Sequence, residues 1–185
     1  VDVTGTWSSY GSVSGAYQLS SYSTDITQLF VDDEPMVNAR WPNAQFYDDS
    51  IFSHSTWAQG DEGDDANANS VEGSLQIDED VFDPGSLDLN NSIGILNIGS
   101  FKTETVKITG HTQNGAADDV ITYGYTGGTD ADYGTTYKDK HHYYFFEGKL
   151  DFLDTNNEWF HDKTNNILYL VTDNGLNPST TGRTI

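Results

Sequence analysis

Glu158-Trp159-Phe160-His161-Asp162-Lys163-Thr164-Asn165-Asn166-Ile167-Leu168-Tyr169-Leu170-Val171 sets two aromatic and branched apolar runs on either side of a polar spacer. Aromatic and β-branched residues suit a pleated, half-buried surface. Asn and Asp bond their own backbone and tolerate left-handed angles, so the stretch predicts a β-hairpin that reverses within residues 162–166. A second copy stands earlier: residues 27–31, then Asp32-Asp33-Glu34-Pro35, then residues 36–41. Pro35 has no N–H to give to a strand ladder, which predicts a place in the turn.

Working outward, short runs of period-two or continuous β-branched character recur between Gly, Asn and Asp clusters, and helical periodicity is hard to find. The strands expected are 16–19, 28–31, 37–41, 93–98, 103–109, 120–123, 158–161 and 167–172. Together they predict an all-β fold, an antiparallel β-sandwich with long acidic loops at 43–72 and 126–140. The run 141–154 reads as strand or helix; its second half suits one short helical turn with Leu150 and Leu153 inward. At 185 residues the chain is expected to form a single domain, 1–185. Val at position 1 fits a processed product or a segment of a larger protein.

Charge is the extreme property: 8 Lys and Arg against 29 Asp and Glu give a formal net charge of −21. Such a field repels phosphate backbones and argues against a nucleic-acid partner. High net charge opposes collapse, but 4 Trp, 11 Tyr and 9 Phe supply the material of a packed core. The acidity fits salty surroundings, marine or halophilic, or a set of calcium ligands. With no cysteine, thiolate metal sites and thiol nucleophiles are excluded. Apolar runs are only a few residues long, so no membrane span is expected, and the Asp/Asn/Ser/Thr/Gly-rich composition fits a secreted or cell-surface protein.

The segment Gln28-Leu29-Phe30-Val31-Asp32-Asp33-Glu34-Pro35-Met36-Val37-Asn38-Ala39-Arg40-Trp41-Pro42-Asn43 resembles one met in secreted right-handed parallel β-helix proteins, many of which act on polysaccharides. Asp33 stands where those proteins place glycine. Residues 146–170 resemble the same proteins again, with Asn157 where glycine commonly precedes the glutamate. The resemblance implies a β-sandwich module inserted in a larger chain, with the flanking β-helix of the parent as a partner. No twenty-odd-residue repeat is visible in this chain, so the solenoid is expected outside it.

Three kinds of chemistry are in view. Calcium wants several oxygen ligands, and among the acidic clusters Asp78 and Asp80 with Asp130 and Asp132 are the candidates, because alternating carboxylates converge on one face. Sugars stack on exposed aromatic rings while polar groups read their hydroxyls. Tyr47 and Trp57 in the first long loop and Tyr133 and Tyr137 in the second are therefore the expected platforms for a polysaccharide or cell-surface glycan. Trp41 and Trp159, placed in strands, are expected to serve the core. For catalysis the abundant Asp and Glu are not diagnostic, and no nucleophile elbow, phosphate loop or His-Glu-x-x-His helix occurs. His141 and His142 point to opposite faces if extended. Arg40 is expected to be satisfied inside, by an ion pair or an aromatic face, and Lys138, Lys140 and His141 would receive an anionic polysaccharide.

The leading expectation is a non-catalytic extracellular module that contacts carbohydrate or shapes a neighbouring polysaccharide site. The alternatives are a calcium-stabilised adhesion or assembly module, and an accessory part of a glycoside hydrolase or polysaccharide lyase active site using Asp151, Asp154 or Glu158.

Overall fold

The computed structural model describes residues 2–59, 74–77, 82–99, 102–114, 119–124 and 143–185. The chain divides into two compact units: Val1–Phe52 with Gly148–Ile185, and Ser53–Glu147. In chain order the strands are β1 Ser8–Ser9, β2 Ala16–Ser20, β3 Phe30–Val31, β4 Glu34–Pro35, β5 Val37–Asn38, β6 Arg40–Trp41, β7 Ala58–Gln59, β8 Ser74–Ile77, β9 Ile93–Gly99, β10 Lys102–Thr112, β11 Asp119–Tyr123, β12 Tyr143–Glu147, β13 Glu158–Asp162 and β14 Ile167–Val171. One short helix, Pro178–Thr181, follows them. The chain is all-β with antiparallel sheets, the class expected of a β-sandwich. No helix among the described residues is long and apolar enough to cross a membrane.

The first unit carries a five-stranded sheet in the order β1-β2-β14-β13-β5. Its pairs are antiparallel except β13 with β5. Residues directly opposite in an antiparallel pair share a face, and the register sets Trp159 against Leu170 and Tyr17, and His161 against Leu168 and Leu19. That face closes over Val3, Trp7, Leu29, Val31 and Met36 to form the unit's core. Each fully buried Leu there contributes about 2 kcal/mol relative to exposure.

The β13–β14 hairpin turns through the four residues between the Asp162–Ile167 pair. Asp162 Oδ1 accepts the amide N–H groups of Thr164 and Asn165, both at 3.0 Å, and Oδ2 accepts Asn165 Nδ2 at 2.7 Å. These bonds hold the Asp162 carboxyl below the ordinary carboxylate range, the Asn165 side chain contributing most. Asn166 then takes a left-handed φ of 54°. The polar spacer is thus an Asp-bonded turn ended by an Asn that tolerates the reversal.

The earlier hairpin differs from expectation in one respect. Its turn is only Asp32-Asp33, with φ 52° and 69°, and Pro35 lies in β4 opposite Phe30. The reason is ladder parity. In a two-residue hairpin the closing pair, Val31 and Glu34, exchanges the hydrogen bonds and the next pair outward does not. Pro35 therefore occupies a position that needs no N–H, and bonding resumes one residue on, where Met36 N–H donates to Leu29 O at 2.9 Å. Asn157, like Asp33, has a left-handed φ, at 63°. Both positions where glycine was expected demand a conformation that Asp and Asn tolerate best after glycine.

In the second unit the strands run β12-β9-β10-β11-β8, with β7 on β12. Leu96, Ile108, Ile121, Tyr144 and Phe146 are buried. Gly94 lies among them, where an added Cβ would meet Ile108 and Leu96 side-chain carbons at 3.0 Å. The run ambiguous between strand and helix resolves into β12 and, in the first unit, a 3-10 turn at Leu150–Phe152. Phe152 and Leu153 are its buried residues, and Leu150 is only half-buried.

Candidate functional site

Residues 43–52 fold back on themselves and bring Gln45, Phe46 and Tyr47 to the wall of a cleft in the first unit. Gln45 N–H donates to Ser50 Oγ at 2.8 Å, Ile51 N–H to Gln45 O at 3.1 Å, and Asp49 N–H to Phe46 O at 3.2 Å. Asp48 Oδ1 accepts Ser50 N–H at 3.0 Å, and bonding to Ser50 holds its carboxyl below the usual range. With Asp49 in the left-handed region, φ 60°, the chain doubles back within a few residues. Its tip throws Tyr47 outward, 73% exposed, while Phe46 sits edge-on to Phe52 with ring centroids 6.4 Å apart.

Beside Tyr47 is a cleft of about 600 Å³, within the range of small-molecule sites. Met36, Val31 and Phe46 give it apolar wall, and Glu34, Asp173, Arg183 and Gln45 give it polar wall. Arg183 bridges two carboxylates: Nε donates to Asp32 Oδ2 at 2.6 Å and Nη1 donates to Asp173 Oδ1. Asp32 Oδ1 also accepts Thr184 N–H at 2.9 Å. The guanidinium holds both carboxyls below the ordinary range and is itself pushed up by them, Asp173 foremost. Gln45, 8% exposed, donates Nε2–H to Asn156 O at 2.9 Å, and its Oε1 has no hydrogen-bond partner.

Of the residues expected from sequence, Tyr47 lies on this cleft. Trp57 belongs to the second unit, packed edge-on to Phe145 with centroids 4.9 Å apart, near His54, whose ring stacks on Tyr143 at 4.4 Å. Tyr133, Tyr137, Asp78, Asp80, Asp130 and Asp132 lie outside the described residues. Among the described residues no three His, Asp or Glu gather at metal-binding spacing. Gln45, Asp173 and Arg183 were missed. The only signal for Arg183 was the scarcity of cations, since Asp32 lies 151 residues away in the chain.

The carboxylates weighed for catalysis have other work. Asp151 is exposed beside Lys149, 3.6 Å away, and Asp154 Oδ1 accepts Asn43 Nδ2 at 2.8 Å. Glu158 is wholly buried. Its Oε1 accepts Arg40 N–H at 3.4 Å, and Oε2 accepts the amides of Asp154 and Thr155 at 3.2 and 3.3 Å. Burial nonetheless pushes its carboxyl up to about 8. With both oxygens taken by backbone, Glu158 ties three chain segments together and does not face the cleft. Arg40, 2% exposed, donates Nε–H to Pro42 O at 2.9 Å.

A second buried polar group sits in the second unit. Leu89 N–H donates to His111 Nδ1 at 3.1 Å, which leaves the ring proton on Nε2 to bond Asp119 Oδ2 at 2.9 Å. Asp119 Oδ1 accepts Asn114 N–H at 2.8 Å. Both imidazole nitrogens are occupied, so this His–Asp pair anchors a loop and offers no general base.

No family model and no curated protein matches the chain. A solved structure named glycoside hydrolase matches with a TM-score of 0.64 and 15% identity over 100% of this chain and 30% of its own. At that identity the likeness concerns the fold alone, and the chain spans less than a third of that protein.

Proposed function

We propose that this chain is a non-catalytic carbohydrate-contacting β-sandwich module of a larger extracellular protein, one whose parent chain carries a flanking β-helix. The observation that carries the reading is the cleft beside Tyr47, which joins an exposed aromatic ring to a polar wall. A pyranose presents the matching combination, an apolar face and a polar rim. Support of a weaker kind comes from the fold-level likeness to part of a protein named glycoside hydrolase. The bonded or buried state of Asp154 and Glu158 favours binding over chemistry for this module.

The test is a saccharide titration followed by amide chemical shifts. Oligosaccharides are expected to shift the amides of residues 45–48, 156 and 173, and Tyr47→Ala is expected to abolish the shifts while leaving the rest of the spectrum in place. A panel of oligosaccharides that moves none of these amides at millimolar concentration would overturn the reading.

A further inference from the structure

His111, carried by β10 in the second unit, has a side chain with no exposed surface and two neighbours that ask opposite things of it. The Leu89 N–H, 3.1 Å from Nδ1, needs a lone pair there, which only the neutral ring has. The Asp119 carboxylate, 2.9 Å from Nε2 and itself buried, gains a charge-assisted bond when the ring is charged. A third group stands beside Nδ1: Asp88 Oδ1 is 3.7 Å away, too far for a hydrogen bond to the neutral ring. Its own turn keeps it there, since Asp88 Oδ1 accepts Asn90 N–H at 2.8 Å. Among the described residues, Asp88 and Asp119 are the charged groups within ion-pair distance of the imidazole.

A second proton on this ring changes partners on one side only. Nε2–H stays on Asp119, whose other oxygen is fixed by Asn114 N–H at 2.8 Å. Nδ1 becomes a donor facing the Leu89 donor, so that bond is lost. The new N–H reaches Asp88 after a closure of about 1 Å, to ordinary charge-assisted distance. We propose that His111 is an acid-operated latch: neutral, it holds Leu89 N–H, and protonated, it exchanges Leu89 for Asp88 and frees the backbone at 88–90. The release is local. On one side Gln113, which does not titrate, donates Nε2–H to Gly85 O at 2.9 Å and Leu87 O at 3.3 Å. On the other, Asn91 N–H donates to Ile108 O at 3.0 Å.

Hydrogen exchange and histidine nitrogen-15 shifts of the full chain, followed from about pH 7.5 to about pH 5 where imidazoles ordinarily change charge, test this. His111 Nδ1 is expected to pass to the protonated shift. Protection of the Leu89 amide, corrected for the intrinsic pH dependence of exchange, is expected to fall about tenfold as one hydrogen bond is lost. Amides of β13 and β14 in the first unit are expected to keep their protection, which separates a local release from general acid unfolding. Asp88→Asn keeps an acceptor for Asn90 N–H but withdraws the charge, and is expected to move both changes together to lower pH. An Nδ1 that stays unprotonated down to about pH 5, or protonation with Leu89 protection unchanged, would overturn the inference. So would equal loss of protection in β13 and β14, or an Asp88→Asn protein whose transitions match the wild type.

Discussion

Replacing Glu158 by Gln sets two opposing effects of one buried carboxyl against each other. Desolvation disfavours the charged form, whereas three backbone N–H groups favour it, and the balance leaves the carboxyl at about 8 against an ordinary 4.5. A carboxyl raised on folding contributes fully below its unfolded value, and the contribution is lost as pH climbs through the folded value. Across that window the loss is on the order of 5 kcal/mol, at roughly 1.4 kcal/mol per decade of proton concentration. Gln carries no charge at any pH and escapes this loss. Its amide keeps one acceptor for Asp154 and Thr155 and turns an NH₂ toward Arg40 N–H, a mismatch costing about 1–3 kcal/mol. Glu158→Gln is therefore expected to be less stable than wild type at about pH 5 and as stable or more so at about pH 9. Urea unfolding followed by tryptophan fluorescence measures both proteins across that range. The repulsion among the other carboxylates is common to both and cancels in the difference. A difference that stays constant with pH would refute the reasoning, because it would mean that the three amides outweigh desolvation and Glu158 is ionised throughout.

Other outcomes follow from the same geometry. Asp162→Ala removes three bonds from the β13–β14 turn and is expected to cost about 1–2 kcal/mol, read as a lower urea midpoint with unchanged slope. Asp162, Asp32 and Asp173 all have lowered carboxyl values, so the stability they add is present above the ordinary carboxylate value and lost as pH falls through their own. Arg183→Gln is expected to return Asp32 and Asp173 toward ordinary titration, seen in carboxyl carbon shifts. His111→Ala leaves Leu89 N–H and Asp119 without their buried partner and is expected to cost roughly 2–4 kcal/mol, with faster hydrogen exchange at Leu89. Calcium held by Asp78, Asp80, Asp130 and Asp132 predicts a lower melting temperature in EDTA that added calcium restores; an unchanged melt would remove calcium from the account.

The strands and turns were legible in the sequence because the rules behind them are local. Aromatic and branched apolar content placed 158–161 and 167–172 in strands, and β13 and β14 match within a residue or so. Turn chemistry read the spacer after Asp162 correctly, since Asx bonding and left-handed tolerance belong to the residues themselves. Pro35 was misplaced because whether a strand position needs its N–H depends on the parity of a pairing, and parity follows from turn length. The site was hardly legible at all. Tyr47 stood out as an aromatic in a long loop, but what gives it a cleft comes from far along the chain: Asn156 reaches Gln45 across 111 residues and Arg183 reaches Asp32 across 151. Glu158, weighed from the sequence as an active-site carboxylate, is instead closed over by Arg40, Asp154 and Thr155, and burial raises its carboxyl. Composition and period alone determined that the chain is acidic, β-rich and turned by Asp and Asn. Only the tertiary structure decided which carboxylates are neutralised, which are buried and which line a cleft, because desolvation and pairing depend on neighbours brought together by folding.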